Sequence, residues 1–165
     1  MISFTSDVLP LKNQMYRLAL RITMNREDAE DIVQETLIKV WNKRDEWDKI
    51  DSLEAYGLTV CRNLSLDLIR KQKTDVVELT EGDAPSQTSP IEGIIQRDKV
   101  DVVKSIVNDL PEKQRTAIQL RDFEGKSYKE IALILGISEE QVKVNIFRAR
   151  QTIRKMYDKI DDYGL

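Results

Sequence analysis

Ser127-Tyr128-Lys129-Glu130-Ile131-Ala132-Leu133-Ile134-Leu135-Gly136-Ile137-Ser138-Glu139-Glu140-Gln141-Val142-Lys143-Val144-Asn145-Ile146 carries two helix starts separated by one helix stop. Ser127 and Glu130 form a Ser-x-x-Glu capping box, in which the hydroxyl and the carboxylate each satisfy a backbone amide that the first helical turn leaves unpaired. Ile131, Ala132 and Leu135 follow as a short apolar stripe. Gly136 stands at the C′ position, where a left-handed backbone is needed. Ser138 and Gln141 then make a second box, and Val142, Ile146, Ala149 and Ile153 give the next helix an inward face. A short helix, a tight glycine turn and a longer helix is the spacing of a DNA-binding helix-turn-helix. Ala132 is small where the two helices must approach, and Val142 and Ile146 lock the second over the first. A plain helical hairpin with a solvated basic face is the competing reading of the same residues.

Working backward from this motif, Pro111 suits the first position of a helix. That helix is expected to run to Asp122 and to be broken by Glu124-Gly125-Lys126. Forward, the second helix bears Lys143, Arg148, Arg150, Arg154 and Lys155 against Glu139 and Glu140, so its local charge is positive. The whole chain is not basic, with 165 residues and a formal net charge of −3. The uneven distribution, not the total, is the nucleic-acid signal.

Residues 74–90 contain Glu81-Gly82-Asp83-Ala84-Pro85-Ser86-Gln87-Thr88-Ser89-Pro90, polar and turn-forming with no apolar period, and read as a flexible linker. The expected organisation is therefore all-α: a helical domain over 1–73, the linker 74–90, and a helix-turn-helix domain over 91–165. In the first domain Met15, Leu18, Ala19 and Ile22 form one buried stripe. Asn25 caps a helix that is expected to bury Ala29, Ile32, Val33, Thr36, Leu37, Val40 and Trp41. Its other face carries Asp31, Gln34, Glu35 and Ile38, an ordered acidic surface that is either solvated or a docking face. Asn42 to Asp51 has no clean period and reads as a loop. Ser52 caps a further helix to about Lys73, with Leu53, Tyr56, Val60, Leu64 and Leu68 inward and Gly57 at a close approach. Arg62, Arg70, Lys71 and Lys73 outnumber Asp67 toward its end, which complements the helix dipole and also suits a phosphate backbone.

Several function classes fall away. Hydrophobic residues make up 41% and charged residues 33%, there is one cysteine and no histidine, and no apolar run approaches a bilayer span. The commonest general base and metal ligand are missing, and there is no glycine-rich phosphate loop, so neither catalysis, metal nor cofactor is expected. The lone Cys61 and the absence of a signal-peptide pattern suit the cytoplasm.

Two long runs then resemble a known family. Asn25-Arg26-Glu27-Asp28-Ala29-Glu30-Asp31-Ile32-Val33-Gln34-Glu35-Thr36, with Trp41, Ala55-Tyr56 and Cys61-Arg62-Asn63-Leu64-Ser65-Leu66-Asp67-Leu68-Ile69-Arg70, is similar to region 2 of the sigma-70 family. Leu110-Pro111-Glu112-Lys113-Gln114-Arg115, Gly125-Lys126-Ser127-Tyr128-Lys129-Glu130-Ile131-Ala132, Leu135-Gly136-Ile137-Ser138, Val142-Lys143 and Arg148-Ala149-Arg150 are similar to region 4. Keeping those two regions alone resembles the small extracytoplasmic-function sigma factors. The resemblance implies that Asp31, Gln34, Glu35 and Ile38 dock on the β′ clamp helices of core RNA polymerase, with the β flap as a second contact. It implies that the Asn42–Ser52 loop and the following helix, through Trp47, Tyr56, Arg62, Asn63 and Arg70, read a −10 element with a base flipped from the stack. Trp47 and Tyr56 either stack on bases or belong to the core. It further implies −35 contacts from Lys126, Ser127, Ser138, Glu139, Gln141, Lys143, Val144, Asn145, Arg148 and Arg150. Promoter DNA and an anti-sigma factor are the other implied partners. The chain departs from the family after Lys143, with Val144-Asn145 in place of Ser-Arg; asparagine pairs with adenine and valine meets a thymine methyl, which implies an altered −35 preference. The alternative is a stand-alone helix-turn-helix regulator on duplex operator DNA, although no heptad seam for a dimer is present.

Overall fold

The structure, a computed structural model, describes residues 2–79 and 99–162. Seven α-helices are found among them: α1 Lys12–Thr23, α2 Arg26–Asn42, α3 Leu53–Leu79, α4 Lys99–Asn108, α5 Glu112–Ile118, α6 Tyr128–Leu135 and α7 Glu139–Asp162. Short turns precede α1, and short segments Arg44–Lys49 and Gln119–Phe123 follow α2 and α5. No strand is present among the described residues.

Helices α1 to α3 pack on one another as a three-helix bundle, and α4 to α7 form a second bundle beside it. The stripe Met15, Leu18, Ala19 and Ile22 is buried, as the periodicity requires. Helix α1 ends at Met24, a non-glycine residue at φ +56°. The next helix starts at once, because the Asp28 amide donates to Asn25 Oδ1 at 3.0 Å. In the second bundle the Ser138–Gln141 box forms in full and the Ser127–Glu130 box forms its hydroxyl arm. The Glu130 amide donates to Ser127 Oγ at 3.1 Å, and Gln141 and Ser138 exchange bonds of 3.1 Å in each direction. Gly136 sits at φ +66°, the left-handed conformation that lets the chain reverse between α6 and α7.

The first bundle departs from expectation at four places. Trp41 is 44% exposed although it was expected on the buried stripe. Asn42–Asp51 is not an open loop, because Arg44–Lys49 winds a 3-10 segment whose Trp47 drops into the core beside Val8 and Val40. One tryptophan takes the inner position and displaces the other outward. Helix α3 buries Ala55, Leu58, Cys61 and Ser65, so its inner face is rotated from the expected 53-56-60-64-68 stripe. The cause is coverage from two sides, by α1 and α2 within its own bundle and by α6 from the other. Gly57 leaves room for a neighbouring side chain, since a Cβ built there would lie 2.8 Å from Met15 Cε. Finally, α3 continues past Lys73 to Leu79, and the rest of the expected linker lies outside the described residues.

Cys61 is fully buried, its Sγ 3.2 Å from the Met15 carbonyl oxygen. Burial pushes its thiol pKa up to about 12 against opposing bonds from Thr36 and Ser65. The thiolate is the reactive form. Folded protein at neutral pH should therefore react with iodoacetamide at least about 100-fold more slowly than the urea-unfolded chain. Equal rates in the two states would show that α3 does not pack as described.

Candidate nucleic-acid interfaces and docking face

Helix α7 presents one concave face. Ile137, Ser138, Glu140, Gln141, Val144, Asn145 and Arg148, with Lys113 from α5, line an open concavity. The repeat 141-144-145-148 places these side chains on a single helix stripe. Asn145 is braced, its Nδ2 donating to the Gln141 carbonyl at 2.8 Å. Val144 is 45% exposed, so the apolar contact expected of it is available. Glu139 is exposed in the first turn.

The remaining basic candidates sort differently. Lys143 lies over the Tyr128 ring at 5.5 Å, and Arg150 is held by Asp122 through bonds of 3.2 and 2.6 Å, both on the flank of α7 away from the concavity. Ser127 is exposed and caps α6. Lys126 does not meet the expectation of an available phosphate contact: it is 9% exposed and its ammonium pairs with Glu54 of α3. Two exposed residues were not anticipated. Lys113 faces the concavity across from α7, and Phe147 is 66% exposed one turn beyond Lys143. Their signals were present but ambiguous, one of two cations shortly after Pro111 and an apolar residue off the inward stripe.

On the first bundle, Lys39, Asn42 and Lys43 from the end of α2 meet Tyr56, Val60, Asn63, Leu64 and Asp67 of α3. They enclose a cleft of about 380 Å³, within the range of small-ligand pockets. Tyr56, Val60, Asn63 and Asp67 follow at i, i+4, i+7 and i+11, so helix periodicity alone places them together. A ring, two amides and two ammonium groups around one cleft offer stacking, edge hydrogen bonds and phosphate attraction to an unstacked nucleotide. The expected partners Arg62 and Trp47 are elsewhere. Trp47 is 6% exposed and its Nε1 donates to the Val40 carbonyl at 2.9 Å, so its ring is core and not a stacking platform. Arg62 faces the second bundle. Arg70 is exposed, with only a loose 3.9 Å approach to Asp67.

The third surface is the outer side of α2, where Asp31, Gln34, Glu35 and Ile38 are all exposed. Trp41 extends it by a turn, with Phe4 edge-on at 5.3 Å and the Arg44 guanidinium 4.6 Å over its ring. An acidic stripe ending in apolar side chains suits a basic partner with a hydrophobic anchor point.

The two bundles meet through α1 against α5 and α3 against α6. Arg62 Nε and Nη2 each donate to one oxygen of Glu112 at 3.0 Å. Arg17 pairs with Glu124, and Arg21 donates to Gln119 Oε1 at 2.8 Å and Asn108 Oδ1 at 2.7 Å. Burial alone would raise the Glu112 pKa, but the bonds and charge of Arg62, with the Thr116 hydroxyl, hold it below the ordinary glutamate value. No cluster of residues able to hold a metal and no helix long and apolar enough to cross a membrane occurs among the described residues.

Residues 8–74 match Sigma-70 region 2, and residues 101–153 match Sigma-70, region 4. The chain is 32% identical over 162 residues to the ECF RNA polymerase sigma factor SigW of Bacillus subtilis, covering 91% of this chain and 87% of that protein. It is 32% identical over 146 residues to the ECF RNA polymerase sigma factor SigE of Mycolicibacterium smegmatis, covering 86% of this chain but spanning 56% of that longer relative. Among solved structures it is similar to the sigma factor RpoE in complex with the anti-sigma factor NepR from Bartonella quintana, at TM-score 0.76 and 25% identity over 94% of this chain and 96% of that one. CnrH, in complex with the cytosolic domain of CnrY, shares the fold at TM-score 0.70 and 24% identity, over 94% of this chain and 88% of that one. With both regions matched in order and a likeness that runs nearly end to end, the chain belongs to the extracytoplasmic-function RNA polymerase sigma factors.

Proposed function

We propose that this sigma factor docks on core RNA polymerase through Asp31, Gln34, Glu35 and Ile38 of α2 and places two DNA readers on a promoter. The α7 concavity reads the −35 duplex from the major groove, and the Tyr56–Asn63 cleft takes an unstacked base of the −10 element. Strand opening is driven by capture of unpaired bases and needs no covalent step of its own. The observation that carries this reading is the separation of the three surfaces. The acidic stripe, the amide- and aromatic-lined cleft and the recognition helix are all open, on different elements, in one chain of this family. The protein acts in the cytoplasm, at the nucleoid when engaged. RpoE and CnrH have been solved with NepR and the cytosolic domain of CnrY, which supports an anti-sigma factor as a partner here too. A stand-alone operator-binding regulator is not favoured, since the family match covers both halves of the chain.

The test is run-off transcription from candidate promoters with purified core polymerase, with and without the protein. Specific initiation that needs the protein is expected; none, beside tight polymerase-free binding to a palindromic duplex, would reject the reading. Asn145→Ala should reduce initiation by about 5- to 150-fold at its own −35 element, the loss of about 1–3 kcal/mol of base discrimination. A uniform loss across all −35 sequences would instead mark Asn145 as a backbone contact.

A further inference from the structure

One cavity lies outside the three surfaces described above. It opens at the seam between the bundles and encloses about 450 Å³, within the range of small-ligand sites. Helix α1 lines it with Arg17, Leu20, Arg21 and Met24, the i, i+3, i+4, i+7 spacing of one helix stripe. Lys104 and Asn108 come from α4, and Gln119 and Phe123 from the segment after α5. The lining holds three cations and no carboxylate.

Two features of this lining do more than seal a seam. The first is Arg21. Arg17, Arg62 and Lys126, the other cations at the seam, each have a carboxylate partner. Arg21 is half-buried and meets only neutral acceptors: Gln119 Oε1 at 2.8 Å, Asn108 Oδ1 at 2.7 Å and the Lys104 carbonyl at 3.5 Å. Those bonds orient the guanidinium without neutralising it, and Gln119 is itself buried. Burial, and then the nearby charge of Arg115, lower the Arg21 pKa, so an anion is the group this environment lacks. Arg21 Nη2, Arg17 Nη1 and the Lys104 ammonium have no bonding partner among the described residues. The second feature is Met24, which ends α1 at φ +56°, a conformation that strains a side chain and suits glycine. Its side chain is half-exposed, so core packing does not account for the strain. Strained residues collect at ligand sites. With Leu20 and the exposed Phe123, Met24 gives the cavity apolar surface beside its cations.

We propose that this cavity binds a small phosphate monoester with a flat apolar body, of the mononucleotide class, through Arg17, Arg21 and Lys104. A phosphate monoester carries a charge of about −1.5 to −2 at neutral pH and three acceptor oxygens. A carboxylate offers a single charge and two oxygens. Three cationic donors in one cavity therefore suit the phosphate, the guanidinium groups by their planar fork and Lys104 as a point charge. The base packs on Leu20, Met24 and Phe123, where the unbranched methionine adapts to its outline. None of the lining residues belongs to the docking face or to either DNA reader, so the site does not depend on the function proposed above. Both bundles contribute to the lining, so by mass action the ligand favours this arrangement of them.

The test is isothermal titration calorimetry on the full chain at low salt, with AMP, GMP, CMP and UMP as probes. At least one should bind one to one with a Kd below about 1 mM. Its nucleoside, which lacks the phosphate, and inorganic phosphate, which lacks the body, should each bind at least about tenfold more weakly. Lys104 is exposed and has no ion pair among the described residues, so Lys104→Glu should keep the melting temperature and weaken binding at least about tenfold. Arg21→Gln should weaken it as much. Met24→Gly relieves the backbone and removes apolar contact, so the melting temperature should hold or rise while affinity falls about threefold or more. Should Arg21→Gln fail to fold, Lys104→Glu makes the decision. Absence of binding below about 1 mM by every probe overturns the site. So does binding that Lys104→Glu leaves unchanged, or inorganic phosphate binding as tightly as the mononucleotide. Displacement by a short single-stranded oligonucleotide without a terminal phosphate would assign the cavity to nucleic acid and overturn the free ligand.

Discussion

Reversing charge at Asp31 and Glu35 together should abolish protein-dependent initiation, by at least about 100-fold, while the protein stays folded. Both carboxylates are exposed and lie beyond the first turn of α2. Arginine is as good a helix former as glutamate and a better one than aspartate, so any loss of stability should stay within about 0.5 kcal/mol. What changes is the interface. An acidic stripe facing a basic partner contributes steering and register, and a like-charge juxtaposition costs several kcal/mol, enough for the stated loss. Co-elution with core polymerase and run-off transcription measure it directly. A variant that co-elutes and initiates like the wild type would remove α2 from the docking site and leave its acidity as ordinary solvation.

The second large effect concerns Trp47. Trp47→Ala should destabilise the first bundle by about 3–5 kcal/mol, the usual range for a buried tryptophan truncation. In a bundle of this size that is a large part of the total stability, and the melting temperature should fall by roughly 15 °C or more. Trp47→Phe keeps a ring packed on Val8 and Val40 and gives up the bond to the Val40 carbonyl. That carbonyl retains the Lys43 amide at 3.2 Å, so the phenylalanine variant should lose only about 1–2 kcal/mol. Thermal unfolding separates the two roles open to this residue. If Trp47 stacked on a promoter base, either variant would keep its melting temperature and fail at strand opening.

Tyr56 and Asn63 point to the same lesson from the other side. Both were candidates through the family resemblance, and the structure sets them in one cleft. Lys39, Asn42 and Lys43, which close that cleft, come from the end of a different helix and share no period with α3. Their contribution depends on how α2 crosses α3, which no local pattern encodes.

The helices, their caps and the turn at Gly136 were legible in the sequence because each depends on groups within four residues of one another. A serine hydroxyl meets an amide three positions on, and an apolar stripe repeats every three or four residues. For the same reason the acidic stripe of α2 could be read directly. What the tertiary structure alone decided is where two surfaces compete for one side chain. Trp41 and Trp47 are both apolar aromatics near the end of α2, and only packing chose which one fills the space beside Val40. The inner face of α3 was misplaced because a second bundle covers a side that its own bundle leaves open. Arg62 and Lys126 carry charge in segments that suit DNA, yet partners 50 and 72 positions away in the chain now hold them. Charge along a chain fixes what a residue is able to bind, and only the fold fixes which oppositely charged group reaches it first.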